Sequence, residues 1–340
     1  GADGKAIYKK GTKLAYEMIT DIKTKPVVSV YVEEVPMGPE INIPGKEHLL
    51  DDAYVKVYES IYLRVQELFN KLLETEELDN AELNAIVDEE ICAKLLSGAK
   101  AVSQIHNMDR DGSVIIHHNL HVAILAGLMG KWLRYDSGRQ HDLVVAGLLH
   151  DVGKLKVPKE VLEKQGKLTD EEFAMIKRHP EHSYGLLKLG PLRDKQDILF
   201  GILQHHERCD GSGYPDRLKK DRINYFACII AILDIYDAMA TNRSYAKRNS
   251  PFDVFSTLYE DILKGKLDTE YGVPFLRHLC HSLNGNWVCL DNGEKGRIVY
   301  IDESRVTAMP IVQTTHGKFI DLNHDTSVKI ESLLTARELE

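Results

Sequence analysis

The stretch LLHDVGKLKVP, residues Leu148–Pro158, carries the strongest structural signal in this sequence. Within it, His150 stands directly beside Asp151 at the end of an apolar run. A histidine and a carboxylate that are adjacent in the chain can both face one metal ion if the backbone bends there. We expect Gly153 to make that bend, because glycine adopts unusual backbone angles at low cost. The apolar run predicts a central, buried helix over residues 140–151.

Length and composition predict a soluble protein of about two domains. The chain has 340 residues, of which 43% are hydrophobic and 28% are charged. Its net charge of −9 argues against binding a nucleic-acid polymer, because such binding normally needs a basic face. No run approaches the roughly 20 apolar residues of a membrane span, and the N-terminus shows no signal-peptide pattern, so we expect a cytoplasmic location. Five cysteines without a CxxC pair predict reduced thiols, not a zinc site or disulfides.

The pattern along the chain predicts a mainly α protein with four regions. Residues 5–46 read as a small β-containing unit, and residues 47–106 read as a helical connector or regulatory region with two long amphipathic helices. These helices could pair across a homodimer or pack on their own chain, and the sequence leaves both open. Residues 107–285 are helical and carry the chemistry. Residues 286–340 form a β-rich tail, whose Asn292-Gly293 pair predicts a hairpin with a two-residue turn.

Local signals predict where the central helices begin. Serine, threonine, aspartate and asparagine cap helix N-termini, and a glutamate three residues later forms a capping box. The predicted caps are Ser113, Thr169 (with Glu172), Asp194, Asn224 and Ser250. His179 precedes Pro180, which disfavours helical geometry at the histidine and predicts a helix break there.

Histidines are concentrated in the central region, because ten of the fifteen lie between His106 and His206. One predicted helix carries His117, His118 and His121, and we expect at least one of the three to be polar surface. Asp234 stands in the middle of an apolar helix, where a carboxylate is costly unless a metal or an ion pair compensates it. The clustering indicates a metal site.

Seven side chains are candidate metal ligands, contributed by at least five elements: His118, His150, Asp151, His179, His205, His206 and Asp234. Mixed nitrogen and oxygen ligands favour iron, manganese, zinc or nickel over magnesium. Seven ligands exceed the need of one ion, so we expect two, bridged by Asp151. Two ions ~3.5–4 Å apart bind a phosphodiester and activate a bridging hydroxide. Lys154 could neutralise a phosphate oxygen in the transition state.

The order of these residues, together with HHERCDGSGYP at residues 205–215, resembles the HD-GYP family. These are bacterial cyclic di-GMP phosphodiesterases within the HD metal-dependent phosphohydrolase superfamily. The resemblance covers residues 107–285, and its GYP motif is long and specific. It implies an HD-type all-helical catalytic domain with two or three metal ions, often iron. It also implies hydrolysis of cyclic di-GMP to linear pGpG, or on to GMP.

Carried over by position, the seven candidates above would be the metal ligands, and Asp151 and Lys154 would be catalytic. The resemblance implies that Lys154 and Arg243 contact the substrate, with Gly213 and Tyr214 bordering its groove. Two departures matter. Family members with three metals have a glutamate where this chain has Val114, which favours two ions here unless Asp109 or Asp111 ligates. Beyond Arg243, Ser244 and Ala246 replace the usual proline and basic residue, for which Lys247 could substitute.

Three alternatives remain open on the sequence alone. The GYP loop could border the substrate or dock a diguanylate cyclase, as the family suggests, or be a tight turn in which Gly211 and Gly213 adopt positive φ and Tyr214 packs. The protein could be a sensor that binds cyclic di-GMP without turnover, although intact ligands and Lys154 favour an enzyme. The substrate could also be another cyclic dinucleotide, such as cyclic GMP-AMP.

Overall fold

A computed structural model describes residues 52–96, 101–102, 104–105, 112–164, 166–240, 250–302 and 305–334. They belong to one unit of the chain, residues 43–340. The mainly α fold with a β tail is confirmed. The unit predicted over residues 5–46 lies outside the described residues, as do Asp109, Asp111 and the segment with Arg243, Ser244, Ala246 and Lys247. The division at residues 106 and 285 stays a prediction.

Eleven α-helices are described in these ranges. In chain order they are α1 (Asp52–Thr75), α2 (Asn80–Asn84), α3 (Val114–Trp132), α4 (Ser137–Leu149), α5 (Lys159–Leu162), α6 (Asp170–Lys177), α7 (His179–Leu187), α8 (Gln196–Gln204), α9 (Tyr225–Ala240), α10 (Pro251–Leu263) and α11 (Thr269–Leu283). A π-helix (Ala85–Leu95) continues α2, and short 3₁₀ helices follow α4 (Val152–Lys156) and precede α9 (Lys220–Arg222). Within the described residues, no helix is both long and apolar enough to cross a bilayer.

Most of the predicted helix starts are confirmed, because capping depends on neighbours in the chain. Thr169 forms the full capping box of α6, and Ser250 accepts a hydrogen bond from the second residue of α10. Asn224 does the same at the start of α9. The prediction for Asp194 was wrong. Lys195 occupies the cap position of α8, and its side chain makes no capping bond.

The β-rich tail forms one antiparallel sheet in the order β4-β3-β2-β1-β5. Its strands are β1 (Trp287–Leu290), β2 (Lys295–Tyr300), β3 (Ile311–Thr314), β4 (Phe319–Asp321) and β5 (Ile330–Leu333). The predicted hairpin joins β1 and β2, but its turn is longer than expected. Leu290 donates its N–H to the Glu294 carbonyl, so three residues form the loop, and Gly293 closes it at φ 84°.

The helices share one hydrophobic core, and α3 lies at its centre. From Leu120 to Gly130 every residue of α3 is buried, which fits a helix surrounded by others on all sides. Helix α1 contributes the predicted apolar stripe, in which Tyr58, Ile61 and Val65 are each at most 2% exposed. Helix α1 therefore packs in the same core as the helices that carry the candidate ligands.

Candidate metal centre

The His-Asp pair lies where α4 ends and the chain turns into a 3₁₀ helix. We expected Gly153 to supply the bend through its backbone freedom, but its φ is not in the left-handed region. Glycine is required at this position because there is no room for a side chain. A Cβ at Gly153 would lie within 3.0 Å of the His179 carbonyl oxygen and of Ser183 in α7. Only glycine lets the turn approach α7 this closely.

Ser183 fastens this turn to α7. Its hydroxyl accepts a hydrogen bond from the Gly153 N–H at 2.8 Å and donates one to the His150 carbonyl at 2.9 Å. Ser183 is fully buried, so water cannot replace either bond. The sequence analysis did not single out this residue, because a serine within a helix carries no signal of its own.

Three of the candidate histidines make the same local hydrogen bond. Each follows the last turn of a helix and donates its Nδ1–H to the carbonyl three residues earlier, among the last carbonyls of that helix. The pairs are His150 to Gly147 (2.8 Å), His179 to Ile176 (2.7 Å) and His205 to Ile202 (2.7 Å). Because each Nδ1 is occupied, Nε2 is the ring nitrogen that remains available to an ion, as in metal-binding imidazoles whose other nitrogen is hydrogen-bonded.

The Nε2 atoms converge on Asp151, which is fully buried. The His179 Nε2 lies 2.9 Å from Oδ1 and the His205 Nε2 lies 3.7 Å from it. On the other side, the Nε2 atoms of His118 and His150 lie 3.5 and 3.6 Å from Oδ2. Asp151 therefore stands between two pairs of imidazoles.

Lys154 donates a hydrogen bond to Asp151 Oδ2 from one turn along the 3₁₀ helix. Burial alone would raise the pKa of the Asp151 carboxyl, but the positive charge of Lys154 and the surrounding imidazoles hold this pKa well below its ordinary value. The carboxylate is thus ionised and able to bind cations. Lys154 itself remains 22% exposed.

Asp234 and His206 complete the cluster. Asp234 lies in the middle of α9, and its Oδ1 is 3.1 Å from the His118 Nε2, which supplies the partner that its burial requires. Its Oδ2 is 4.0 Å from the His206 Nδ1. Burial lowers the pKa of His150 to about 3 and that of His206 well below its ordinary value, so both imidazoles are neutral. All seven predicted candidates therefore lie together.

Six of the seven residues form two overlapping ligand sets, and Asp234 lies beside them. One set contains Asp151, His179, His205 and His206, and the other contains His118, His150 and Asp151. Within each set the ligand atoms lie within 4.8 Å of one another, and Asp151 belongs to both. Among the described residues, the buried Nε2 atoms of His150 and His206 find no hydrogen-bond partner. Neutral imidazole nitrogens without partners, beside an ionised carboxylate, fit divalent transition-metal ions.

Asp237 is a buried residue that the sequence analysis missed. It follows Asp234 by three residues on α9, and its carboxylate oxygens lie 2.7 Å from the His118 Nδ1 and 2.9 Å from the His121 Nδ1. A second carboxylate three residues after the first in an apolar helix could have been recognised from the sequence. Burial lowers the pKa of His118, but its hydrogen bonds to Asp234 and Asp237 outweigh burial and raise that pKa to about 10.

We expected at least one of the three histidines on α3 to be polar surface, and that was wrong. His117 is 5% exposed and His121 is fully buried. The Tyr58 hydroxyl of α1 lies 2.9 Å from both the His117 Nδ1 and the His121 Nε2. These two imidazoles are buried because a second helix provides them with a hydrogen-bond partner.

The GYP loop is a tight turn packed against the cluster. Gly211 has φ 83° as expected, but Gly213 does not have positive φ. Glycine is needed at 213 because a Cβ there would lie within 3.0 Å of the backbone at residues 206–208. The Tyr214 ring stacks on the His206 imidazole, with centroids 4.6 Å apart and an interplanar angle of 19°.

Glu207 anchors the same loop. It is 2% exposed, and its two carboxylate oxygens accept the backbone N–H groups of Asp216 at 2.7 Å and Leu218 at 2.9 Å. The glutamate of the HHE motif therefore shapes the loop beside the ligands. No disulfide joins the five cysteines, and Cys209, Cys228 and Asp268 offer ligand atoms within 4.8 Å of one another.

Comparisons with known proteins agree with this fold. The model of the HD domain family matches residues 91–270, which is more than half of the chain. The protein belongs to the HD domain family. The structure of Bd1817, a HDG"Y"P protein from Bdellovibrio bacteriovorus, has a TM-score of 0.52 and 21% identity over 65% of this chain and 70% of its own, which shows a shared fold.

Two curated relatives are phosphodiesterases by name. The chain is 30% identical over 223 residues to cyclic di-GMP phosphodiesterase PA4108 of Pseudomonas aeruginosa, covering 65% of this chain and 53% of the relative. It is 33% identical over 163 residues to 3′3′-cGAMP-specific phosphodiesterase 1 of Vibrio cholerae, covering 48% of this chain and 37% of the relative. The chain thus spans about half the length of the first and less of the second.

Proposed function

We propose that the protein is a metal-dependent phosphodiesterase that hydrolyses cyclic di-GMP to linear pGpG, with GMP as the product of a second cleavage. The observation that carries the proposal is Asp151, the single carboxylate common to both ligand sets. A carboxylate shared by two ligand sets would bring two ions close enough for the two-ion hydrolysis of a phosphodiester. The relative from Pseudomonas aeruginosa, a cyclic di-GMP phosphodiesterase by name, supports the choice of substrate.

The seven candidates would hold two ions, with iron or manganese favoured by their mixed donors and zinc or nickel as alternatives. His179, His205 and His206 would bind one ion, and His118 and His150 would bind the other. Asp234 lies beside the ligands of both sets, at His118 and His206. When bound, the ions would polarise the phosphodiester and lower the pKa of a water molecule. We favour two ions over three, because Val114 has no ligand atom and is 60% exposed.

The open side of the cluster fits an anionic substrate. The side chains of His118, His206 and Lys154 are 12%, 16% and 22% exposed, whereas those of His150 and His205 are fully buried. The Lys154 ammonium can therefore contact a phosphate oxygen that enters from this side. Tyr214 stacks on the partly exposed His206, which supports a substrate-facing role for its ring.

Further parts of the proposal concern residues and partners beyond the cluster. Arg243 would contact the substrate, as the family resemblance implies, and Lys247 would substitute for the basic residue that the family has at the position of Ala246. The GYP loop would border the substrate groove through Gly213 and Tyr214, or would dock a diguanylate cyclase. A homodimer and a cytoplasmic location also stay predictions.

Turnover tests the proposal directly. The protein is loaded anaerobically with Mn²⁺ or Fe²⁺ and incubated with cyclic di-GMP and, separately, with 3′3′-cGAMP. We expect linear pGpG with a higher kcat/KM for cyclic di-GMP. The Vibrio cholerae relative supports the second substrate as an alternative, which a higher kcat/KM for 3′3′-cGAMP would establish. Binding of cyclic di-GMP with no linear product would refute the enzyme and favour a sensor.

A further inference from the structure

A buried chain of hydrogen bonds connects α1 to the candidate ligand His118. The Tyr58 hydroxyl lies 2.9 Å from the His121 Nε2, and the His121 Nδ1 lies 2.9 Å from Asp237 Oδ1. Asp237 Oδ2 in turn lies 2.7 Å from the His118 Nδ1. Tyr58, His121 and Asp237 are each at most 2% exposed. Three helices, α1, α3 and α9, thus meet in one polar chain inside the core.

The carboxylate of Asp237 is the acceptor at the centre of this chain. Despite burial, its histidine partners hold its pKa below the ordinary value, so it is ionised and both His118 and His121 present Nδ1–H to it. The His121 Nε2 then faces the Tyr58 hydroxyl, which also lies 2.9 Å from the His117 Nδ1. In this arrangement His118 keeps Nε2 for an ion.

We propose that Tyr58 is a positioning residue for the metal centre. Through His121 and Asp237 it holds His118 in the tautomer and orientation that present Nε2 to the ion shared with His150 and Asp151. This inference rests on the proposed two-ion centre. It extends that centre to a helix that contributes no ligand, so a shift of α1 changes ion binding at His118.

The reasoning gives the size and the place of the effect. Outer partners of metal-binding histidines typically change metal affinity by about 10–100-fold. The Tyr58 hydroxyl acts on Asp237 only through His121, so we expect its removal to lower the metal affinity by about tenfold. Only the ion at His118 should be affected, because His179 and His205 are oriented by their own carbonyls.

The test is a Mn²⁺ titration of the chelator-stripped full chain, followed by electron paramagnetic resonance of the free ion. The wild type should bind two ions. Tyr58→Phe should bind one with unchanged affinity and the other about tenfold more weakly. Tyr54→Phe is the matched control, since Tyr54 lies one turn earlier on α1 and its buried hydroxyl has no hydrogen-bond partner in the part of the chain that the structure describes. It should match the wild type.

Two variants of His121 keep the inference testable if Tyr58→Phe does not fold. His121→Gln retains an amide donor toward Asp237 and an acceptor toward Tyr58, so its affinity should stay close to wild type. His121→Leu retains neither and should lose the His118 ion selectively. Equal effects of the two variants, or of Tyr58→Phe and Tyr54→Phe, would overturn the inference. A wild type that binds fewer than two ions would instead refute the proposed function.

Discussion

Replacing Ser183 with alanine tests how the His-Asp turn is held. The substitution removes the partner of two buried backbone groups, the Gly153 N–H and the His150 carbonyl. A buried group left without a partner costs about 1–3 kcal/mol, so we expect Ser183→Ala to lower the free energy of unfolding by about 2–4 kcal/mol. The affinity for metal should fall as well, because the same bonds position His150 and Asp151.

Urea denaturation of the metal-free protein measures this change. At an m-value of about 3 kcal/mol/M, the loss corresponds to a fall of about 1 M in the denaturation midpoint. Ser256→Ala serves as the control, because the Ser256 hydroxyl donates only to the Phe252 carbonyl of its own helix at 3.0 Å. It should cost less than about 0.5 kcal/mol. Equal midpoints for the two variants would refute the proposed role of Ser183.

Three further outcomes follow from the geometry. Hydrogen bonds to two aspartates raise the pKa of His118 to about 10, so an ion that binds there must displace the proton. We therefore expect the Mn²⁺ affinity to weaken by up to about tenfold per pH unit as the pH falls from about 8 to 6. An affinity that does not change with pH would contradict this. Tyr214→Ala should raise the KM for cyclic di-GMP, whereas Tyr214→Phe, which keeps the ring on His206, should leave it unchanged. Equal KM values for the two variants would argue against a role of the stacked ring in substrate binding. Gly213→Ala should lower the stability by about 1–3 kcal/mol, because the added Cβ forces the loop open. Gly185→Ala, where a Cβ would meet nothing within 4 Å, should cost no stability. Thermal melting compares the two variants.

Local chemistry explains which parts of the fold the sequence could predict. The capping box at Thr169 and the cap at Ser250 depend on residues within three positions, and both were predicted correctly. The hairpin after β1 was predicted, but its loop has three residues instead of two, because pairing of Leu290 with Glu294 decides the register. The π-helix after α2 has no sequence signal, since packing decides it.

Part of the candidate site could likewise be predicted from the sequence, and part could not. Residue type and spacing sufficed to collect His150, Asp151 and their partners, because ligand chemistry restricts a metal site to few residue types. Ser183 escaped prediction, since its partners lie 30 and 33 residues away in the chain. The burial of His121 depends on a tyrosine 63 positions earlier. Such contacts exist only once the helices pack.

The number of ions bound per chain tests the central claim most directly. Metal analysis after anaerobic purification, with a titration of the stripped protein, should give two ions per wild-type chain. Asp151→Ala removes the carboxylate shared by both ligand sets, so it should lose both ions and all hydrolysis of cyclic di-GMP. A variant that retained two ions, or that retained activity, would contradict the assignment of Asp151 as the bridge.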